Sequence, residues 1–430
     1  MTLSDFDAII VGGGLAGLTT AYLLAKEGAE VLLIERGNFA GAKNMTGGRI
    51  YSHSLEKIIP DFAGEAPVER RITREKISLL TEDSGVTVDY ASPGLAVQGQ
   101  DSYSVLRADF DQWLAGKAEE AGAQMVTGIK VDDILLENGQ VRGIIAGGDE
   151  MAADVTVLAD GVNSLLAQKM GFREELPPNQ VAVGVKEIIE LPAAVIEDRF
   201  QCHGGEGTAW LFAGQPSGGK VGGGFLYTNK TSVSLGVVCT LSDLITGAAT
   251  LPQLLENFKN HPSVAPLVTG GKMIEYSAHL VPEGGLTMLP QLFGAGVLVT
   301  GDAAGFCLNL GYMVRGMDLA IGSGECAARA IMAAKREGDF SAESLSRYKT
   351  ALDESFIMAE MNLYKKFPHF MENTPRIFAG YPEMASDLMA QLFIVSGQQS
   401  QPLYKKAGSS MKTVGALNLI LDALKGVRSL

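Results

Sequence analysis

The first 35 residues carry two different hydrophobic patterns. Residues 6–11 (FDAIIV) form a short apolar, β-branched run, which is typical of a strand buried on both faces. Residues 15–27 then predict a helix that ends near Gly28, and residues 30–34 predict a second strand that stops at Glu35. These patterns predict a βαβ unit within about 30 residues.

Three later segments extend this type of pattern. Residues 109–122 predict an amphipathic helix that starts at an Asp cap. Residues 155–159 and 296–300 are apolar runs of strand length, and we expect both in the same sheet as the first strand. The sheet is therefore expected to draw its strands from distant parts of the sequence.

The middle and the end of the chain have different patterns. Residues 181–190 and 223–239 alternate with turn residues, notably 228–231, which indicates antiparallel hairpins. Strands of the first sheet lie on both sides of this block, so we expect the first domain to be discontinuous. From about Met317 onward the pattern is helical, and we expect it to be interrupted at Pro368, Pro375 and Pro382.

Composition narrows the class of protein. Glycine makes up 52 of the 430 residues, about 12% against a usual ~7%, and without a Gly-X-Y period the excess belongs to turns and close backbone approaches. The 35 basic and 49 acidic side chains give a net charge of −14, which argues against nucleic acid as a partner. The chain starts almost directly in patterned sequence, so we expect a cytoplasmic protein without a signal peptide.

Side chains that usually hold metals or catalyse hydrolysis do not form a recognisable motif. The four cysteines are far apart, and we expect isolated thiols in a reducing compartment and no metal site. The five histidines show no ligand spacing and are expected to be structural or on the surface. We therefore name no general acid, general base or metal ligand.

A glycine motif lies between the first strand and the first helix. The spacing Gly12-x-Gly14-x-x-Gly17 is weak by itself, but here Glu35 ends the second strand 18 residues beyond Gly17, as the dinucleotide fingerprint requires. Gly12 permits the tight turn, Gly14 lets the backbone approach a pyrophosphate, and Gly17 allows close packing of helix on strand. The motif predicts FAD or NAD bound at the start of this helix.

Two further features favour FAD over NAD. Gly301-Asp302-Ala303-Ala304-Gly305 follows a predicted strand, and an Asp at a strand end beside small residues can accept a hydrogen bond from a ribityl hydroxyl. Arg107-x-x-Phe110-x-x-x-Leu114 opens a helix after a predicted strand over 103–106. An NAD dehydrogenase has no reason to carry these elements so far downstream.

These motifs, with Leu158-Ala159-Asp160-Gly161, resemble the flavoprotein superfamily of aromatic hydroxylases and geranylgeranyl reductases. The likeness sharpens over 41–49 (GAKNMTGGR), Tyr276-Ser277-Ala278, Glu283-Gly284-Gly285, Pro290 and 301–316. This set resembles the FixC branch, which is related to electron-transfer flavoprotein:ubiquinone oxidoreductase. The resemblance covers essentially the whole chain and implies an FAD-dependent oxidoreductase that transfers electrons.

The implied fold is α/β (α+β overall). It combines a Rossmann-like FAD-binding domain of the glutathione-reductase/aromatic-hydroxylase type with an inserted antiparallel β-sheet domain and a helical C-terminal region. The expected boundaries are 1–75, 103–178 and 276–340 for the discontinuous FAD-binding domain, 76–102 and 179–275 for the antiparallel domain on the substrate or quinone side, and 341–430 for the helical region.

The resemblance also assigns residues to parts of FAD. The glycine turn, Glu35 and Arg36 would hold the ADP half, Arg107 the phosphate or ribityl side, and Asp302 the ribityl–pyrophosphate. The complete candidate set is Gly12, Gly13, Gly14, Leu15, Ala16, Gly17, Glu35, Arg36, Lys43, Asn44, Thr46, Gly47, Gly48, Arg49, Arg107, Val131, Ala159, Asp160, Gly161, Gly301, Asp302, Gly305, Gly311 and Gly316.

Residues 43–49 and 311–316 would flank the isoalloxazine ring. A helix that starts near Met317 would point its positive end at flavin N1/O2 and stabilise the anionic reduced ring. Arg315 would add to this effect if it points inward. The sequence leaves that orientation open against a solvated or ion-paired Arg315, and it leaves the same two alternatives open for Lys43 and Arg49.

One departure from the family bears on partners. The ubiquinone oxidoreductases are longer and end in a ferredoxin-like domain with a four-cysteine cluster, which this sequence lacks. The resemblance implies that a separate ferredoxin-like iron–sulfur subunit carries the cluster and that electron-transfer flavoprotein subunits are the donor. Electrons would pass to quinone or to ferredoxin-type carriers.

Two other interpretations stay open from the sequence. One is an FAD-dependent reductase or monooxygenase of a small isoprenoid or aromatic substrate. The other is a scaffold subunit that keeps the flavoprotein fold without using it. The segment 43–49 favours electron transfer over the first, and the intact fingerprint with Glu35 and Asp302 argues against the second.

The last thirty residues are basic in an acidic chain. Five cationic side chains oppose only Asp422, a local net charge of +4. Such a helix can contact anionic lipid on the inner membrane face, a partner groove or its own domain, and the sequence leaves all three open. The apolar positions at helical spacing are Leu417, Ile420, Leu421, Leu424 and Val427.

Overall fold

A computed structural model of the chain describes residues 5–44 and 47–429. Over these residues it is a mixed α/β structure with 41% helix and 29% strand, which confirms the expected fold class and the helical C-terminal region. Nineteen strands and sixteen helices are formed within the described residues.

The strands are β1 (Phe6–Val11), β2 (Val31–Glu35), β3 (Gly48–Tyr51), β4 (Val68–Leu80), β5 (Gly85–Ala91), β6 (Ser102–Val105), β7 (Gln124–Thr127), β8 (Val131–Glu137), β9 (Gln140–Ala146), β10 (Asp149–Leu158), β11 (Val181–Glu190), β12 (Glu206–Gly214), β13 (Gly222–Thr228), β14 (Ser232–Thr240), β15 (Lys272–Pro282), β16 (Phe293–Gly294), β17 (Val297–Val299), β18 (Leu308–Asn309) and β19 (Val314–Arg315).

The helices are α1 (Leu15–Lys26), α2 (His53–Ile58), α3 (Arg107–Glu120), α4 (Leu165–Lys169), α5 (Ala193–Phe200), α6 (Leu241–Thr246), α7 (Leu251–Asn260), α8 (Ala265–Val268), α9 (Met317–Glu337), α10 (Ala342–Leu345), α11 (Arg347–Asp353), α12 (Phe356–Leu363), α13 (Phe367–Glu372), α14 (Gly380–Phe393), α15 (Leu403–Ser410) and α16 (Ala416–Ser429).

The first sheet has a parallel centre in the order β17-β10-β1-β2-β7. Strand β16 pairs antiparallel at one edge, and the β8–β9 hairpin extends β10. Every residue of β2 is buried, as expected for a parallel strand covered on both faces. The predicted sharing of one sheet by the segments near 6–11, 155–159 and 296–300 is confirmed.

The second sheet has nine strands in the order β15-β11-β14-β13-β12-β4-β6-β3, with β5 paired to β4. The predicted hairpin around 228–231 is formed by β13 and β14, and β11 spans the predicted residues 181–190. Most pairs are antiparallel, but β12 and β4 run parallel, and the long stretch of chain between them supplies the crossover that a parallel pair needs. Helix α7 packs the fully buried Phe258 against one face of this sheet.

The second sheet takes strands from both expected domains. Strands β3 and β6 join it, although their residues fall in the segments that we assigned to the FAD-binding domain. Strands β4 and β15 cross the expected boundaries at 75/76 and 275/276. The domain division therefore stays a proposal.

Two local expectations need correction. Helix α3 begins at Arg107 and not at an Asp cap, with Leu106 at the N-cap and Asp109 inside the first turn, where a carboxylate favours the helix dipole. Pro382 does not interrupt the chain's helices, because it lies in the first turn of α14, where the amides have no partner within the helix. Pro368 and Pro375 do begin new helical segments.

Helices α1 and α9 approach each other through their backbones. The Thr20 hydroxyl donates to the Gly324 carbonyl (3.2 Å) and to the Ala16 carbonyl (2.8 Å). A Cβ added at Gly324 would lie 2.6 Å from the Ala16 carbonyl oxygen. This close contact places the first turn of α1 against the first half of α9.

We predict that Gly324→Ala lowers the free energy of unfolding by about 1–3 kcal/mol, because the new methyl forces the two helices apart. Gly116→Ala in α3 is the matched control, since a Cβ there meets no atom within 4 Å. The control should be neutral or stabilise by up to ~1 kcal/mol. Denaturant unfolding of both variants measures the difference, and equal effects would contradict this account of the α1–α9 contact.

Candidate functional site

A cavity of about 670 Å³ lies where the carboxyl ends of the parallel strands meet the second sheet. The ends of β1, β2 and β10 and the turn after β17 line one side. Strands β4, β12, β13 and β15 line the other side. Ligand sites in open parallel sheets lie at this edge and have volumes of roughly 300–1,000 Å³.

The structure brings most of the predicted site residues to this cavity. Gly13, Gly17, Gly301 and Gly305 are not among its lining residues and act in close packing around it. Thr46, with Met45, lies outside the described residues. The predicted residues that line the cavity are Gly12, Gly14, Leu15, Ala16, Glu35, Arg36, Lys43, Asn44, Gly47, Gly48, Arg49, Arg107, Val131, Ala159, Asp160, Gly161, Asp302, Gly311 and Gly316.

The turn between β1 and α1 needs glycine for two steric reasons. Gly12 has a φ of +110°, and a Cβ there would lie 2.3 Å from the Ala159 carbonyl oxygen. A Cβ at Gly17 would lie 2.1 Å from the Gly12 carbonyl oxygen. At Gly14, by contrast, a Cβ meets no atom within 4 Å, and this residue lines the cavity.

The first turn of α1 faces the cavity without a capping side chain. Gly14 is the N-cap, and it makes no side-chain hydrogen bond to the first amides of the helix. Unpaired amides and the positive end of the helix dipole favour an anion, and phosphate is the usual one. The turn therefore fits a pyrophosphate.

Glu35 is held by two backbone amides. Its Oε2 accepts from the Gly13 N–H (2.7 Å) and its Oε1 from the Gly37 N–H (2.5 Å). The side chain is buried at the end of β2 and lines the cavity. Each oxygen keeps a lone pair that can accept a ribose hydroxyl, whereas the carboxylate would repel a 2′-phosphate.

Arg107 and Asp302 approach the cavity from different elements. The Arg107 guanidinium makes a bidentate pair with Asp111, Nε to Oδ1 and Nη2 to Oδ2, both at 2.8 Å. Asn44 Nδ2 donates to the same carboxylate (2.5 Å), so Asp111 fixes two cavity side chains at once. Burial raises the pKa of Asp302 to about 6, although the positive charge of Arg107 opposes the shift.

Residues 47–49 are tied to the second sheet through the side chains of Lys186 and Arg49. Lys186, fully buried on β11, donates from Nζ to the Gly47 carbonyl (2.5 Å). Arg49 pairs with Glu75 and donates from Nε to the Ser102 hydroxyl (2.9 Å). Both contacts hold this segment as a wall of the cavity.

Arg315 takes the ion-paired alternative. Its Nε and Nη2 donate to the Asp318 carboxylate at 2.8 and 2.5 Å, and Nη1 pairs with Glu360. Arg315 is not among the residues that line the cavity, whereas its neighbours Gly316 and Met317 are. Helix α9 nevertheless presents its N-terminus, Gly316 at the N-cap, without a capping side chain.

Several residues that line the cavity or hold its lining side chains in place were not predicted from the sequence. Asp111 could have been found, because it lies four residues after Arg107 on one helix face. Lys186 carried no local signal, since its position depends on the packing of the second sheet, whereas Glu283 belongs to a segment that resembles the family but was given no role. His279, which we assigned to packing, lines the cavity, and burial together with Arg107, Arg36 and Lys186 lowers its pKa.

The cysteines follow the expectation of isolated thiols. Cys202, Cys239, Cys307 and Cys326 are all free and buried. Across residues 5–44 and 47–429, no group of three or more His, Cys, Asp or Glu side chains is arranged to hold a metal ion.

Three segments of the chain match families of known proteins. Residues 7–111, which contain the glycine turn, Glu35 and Arg107, match the family "FAD dependent oxidoreductase". The fold and the site thus define an FAD-dependent oxidoreductase. Residues 181–281 match "ETF-QO, ubiquinone-binding", and residues 367–430 match "ETF-QO/FixC family C-terminal domain". The chain belongs to the ETF-QO/FixC family.

Full-length relatives support this assignment. Protein FixC of Salmonella typhi is 56% identical over 427 residues, which cover 99% of each chain. The probable electron transfer flavoprotein-quinone oxidoreductase YdiS of Escherichia coli (strain K12) is 52% identical over 430 residues, 100% of each chain. Protein FixC of Azorhizobium caulinodans is 42% identical over 397 residues, 91% of each chain. The predicted resemblance is confirmed.

Solved structures share the fold at low sequence identity. A geranylgeranyl bacteriochlorophyll reductase-like protein from Thermoplasma acidophilum superposes with a TM-score of 0.71 at 19% identity, covering 96% of this chain and 99% of that one. The myxobacterial FAD-dependent halogenase CndH gives 0.66 at 20% identity, covering 95% and 97%. These likenesses show the fold alone.

We predict that Gly14→Val lowers the FAD content of the purified protein by at least about tenfold, because its side chain enters the cavity beside the open first turn of α1. The melting temperature of the FAD-free protein should stay close to wild type, since a Cβ at Gly14 meets no described atom within 4 Å and the backbone φ there is negative. Gly12→Val is the matched contrast and should destabilise the FAD-free protein as well. Visible absorbance and thermal unfolding measure both effects, and full FAD occupancy in Gly14→Val would contradict the location.

Proposed function

We propose that this chain binds FAD in the cavity and passes electrons from an electron-transfer flavoprotein toward quinone. When bound, FAD accepts and releases electrons singly or in pairs. The protein positions the cofactor, controls which molecules reach it and sets the electrostatic potential around it. The observation that carries the proposal is the continuity of one cavity from the glycine turn to an apolar end.

The polar end of the cavity suits the ADP half of FAD. The unpaired amides at the start of α1 would bind the pyrophosphate, and Glu35 would accept the ribose hydroxyls. Arg107 and Asp302 would contact the phosphate and ribityl side. The residues near 43–49 and 311–316 would flank the isoalloxazine ring, with the N-terminus of α9 favouring negative charge there.

The other end of the cavity is apolar. It is built from the second sheet, from Leu310 between β18 and β19, and from the region that follows α12. Leu310 forms a buried cluster with Phe367, Met371 and Phe378 of that region. A quinone has a flat ring with two carbonyls and an apolar substituent, which suits such an end. The lining residues at this end are Ala213, Val221, Phe367, Met371, Ile377 and Phe378.

The partners follow from family membership. The name of YdiS describes transfer between an electron transfer flavoprotein and quinone, and we propose the same donor and acceptor here. We further propose a separate ferredoxin-like iron–sulfur subunit, which the resemblance to the FixC branch implies. Electrons would then pass either to quinone or through that subunit.

The end of the chain exposes an apolar stripe. We call Leu417, Ile420, Leu421, Leu424 and Val427 of α16 the C-terminal stripe, and all five are exposed, from 43% to 78%. On the same helix Asp422 is buried and pairs with Arg376 (2.7 and 2.9 Å) and with the Tyr381 hydroxyl (3.0 Å). The helix is therefore anchored by its carboxylate and turns its apolar residues outward.

We propose that the C-terminal stripe rests on a membrane that contains anionic lipid. Lys425 and Arg428 lie on the same helix as the stripe, while Asp422 of that helix pairs with Arg376. Apolar side chains bordered by cations favour the interface of anionic bilayers. Among the helices of the described residues, none has the length and hydropathy needed to cross a bilayer.

The electron-transfer function predicts two half-reactions. The FAD-loaded chain should accept electrons from a reduced electron-transfer flavoprotein and lose them to a short-chain ubiquinone, and flavin absorbance follows both steps.

Met371→Trp, which fills the apolar end, should lower kcat/KM for the quinone by about tenfold without changing FAD content. Met273→Trp, at an exposed position of β15, is the control. Fast oxidation of NAD(P)H with a small substrate and no flavoprotein donor would favour the reductase or monooxygenase alternative.

Membrane contact predicts a loss of lipid binding when the stripe is charged. Ile420→Asp with Leu424→Asp should lower the fraction that sediments with phosphatidylglycerol-containing vesicles by at least about tenfold, because each residue buries apolar area in the interface. Val88→Asp, at an exposed apolar position of β5, should bind like wild type. Undiminished sedimentation of the double variant would show that the stripe is not the anchor.

A further inference from the structure

Glu283 places a carboxyl on the cavity wall directly after β15. Its backbone N–H donates to the Gln180 carbonyl (2.8 Å), which fixes the end of the strand. The side chain is among those that line the main cavity. It also lines a second cavity of about 10 Å³, close to the space that one water molecule needs.

Asn309 orients this carboxyl. Its Nδ2 donates to Oε1 (3.2 Å) and Oε2 (3.1 Å) of Glu283, and its Oδ1 accepts from the Gly311 N–H (2.9 Å). The amide thus connects the carboxyl to the turn 311–316 that we place beside the flavin ring. A neutral amide leaves the carboxyl free to take up or release a proton, whereas an arginine partner would hold it ionised.

Glu283 lies at the junction of the two ends of the cavity. Leu310 and Phe367 of the apolar end share both of its cavities, and Gly311 continues toward the proposed flavin ring. A quinone bound in the apolar end, with its head toward the ring, would therefore bring a carbonyl oxygen toward this carboxyl.

The charged and titratable groups around Glu283 do not favour its ionised form. Cys307 and Tyr364 line the same small cavity, and His279 and Asp302 lie further along the main cavity wall. Burial raises the pKa of Glu283 to about 7, with only the Asn309 hydrogen bond opposing the shift. A carboxyl with such a pKa holds and releases a proton near neutral pH, which is where a general acid works best.

We propose that Glu283 donates a proton to a quinone carbonyl oxygen as the quinone is reduced. The inference rests on the proposed function, with quinone as the acceptor. Reduction of a quinone to a quinol takes two electrons and two protons. The electrons and one proton come from reduced FAD, the O–H bond of the Glu283 carboxyl breaks, and a new O–H bond forms on the quinone. Solvent then returns a proton to the carboxylate.

The kinetic test compares an acceptor that needs protons with one that does not. The FAD-loaded protein is reduced chemically and mixed either with a short-chain ubiquinone or with ferricenium, which takes only electrons. Glu283→Gln keeps the shape and the contact with Asn309 but has no acidic proton. It should slow reoxidation by ubiquinone about a hundredfold and leave reoxidation by ferricenium unchanged. Glu372→Gln, an exposed carboxylate of α13, is the matched control and should behave as wild type with both acceptors.

Thermal unfolding of the same proteins gives a readout independent of turnover. The carboxyl keeps its proton in the folded state to about pH 7, whereas in the unfolded chain it ionises near an ordinary value of about 4.3. The folded wild type binds more protons in this range, so its stability relative to Glu283→Gln should fall as pH rises from about 4 to 7 and then level off.

The possible results distinguish a failure of the Glu283 role from a failure of the proposed quinone function. A wild type that is reoxidised by ferricenium but not by ubiquinone overturns the quinone function and the inference together. Equal ubiquinone rates in wild type and Glu283→Gln overturn the inference alone. A melting-temperature difference that does not vary between pH 4.5 and 7.5 also overturns it, because the carboxyl would then hold no proton at neutral pH. Loss of both acceptor reactions in Glu283→Gln would assign Glu283 to FAD binding instead.

Discussion

Three close backbone contacts at glycine fix the edge of the first sheet that lines the cavity. Gly12 lies against the Ala159 carbonyl, Gly17 against the Gly12 carbonyl, and Gly324 against the Ala16 carbonyl, each too close for any side chain. They bring β1, β10, α1 and α9 together at one edge of the first sheet. The unpaired amides of α1, the Glu35 carboxylate and the N-terminus of α9 consequently face a single cavity, and its chemistry depends on this packing.

The cations around the cavity are mostly paired before any ligand arrives. Arg107 is paired with Asp111, Arg49 with Glu75, and Arg315 with Asp318 and Glu360. Such pairs fix side chains in place and leave little free positive charge, so attraction for phosphate falls mainly to backbone amides and helix ends. This arrangement suits a cofactor that stays bound, because its binding then depends on the geometry of the site more than on a fast association rate.

The second sheet determines which molecules can enter the cavity. Its strands β12, β13 and β15 form the wall opposite the dinucleotide edge, and with the region after α12 they enclose the apolar end proposed for quinone. In flavoproteins of this fold the cofactor supplies the reactivity. The residues of the opposite cavity wall determine which molecules can reach the cofactor, so one fold can carry different chemistries. The exposed C-terminal stripe lies in the segment after this wall, which would bring the apolar end near a source of lipid-soluble quinone.

Local patterns were enough to predict the βαβ unit, the hairpin at 228–231 and the dinucleotide motif, because hydrophobic periodicity and glycine spacing act within a few residues. Even Asp111 was within reach as an i,i+4 partner of Arg107. The orientation of Arg315, the burial of Lys186 under Gly47 and the meeting of Glu283 with Asn309 were decided by tertiary structure. Each joins residues that are remote in sequence, or depends on which carboxylates lie near a guanidinium once the helices have packed.

The stripe on α16 shows the division most clearly. Its sequence specifies an amphipathic helix, and only the contacts of Asp422 with Arg376 and Tyr381 decide that the apolar side faces outward.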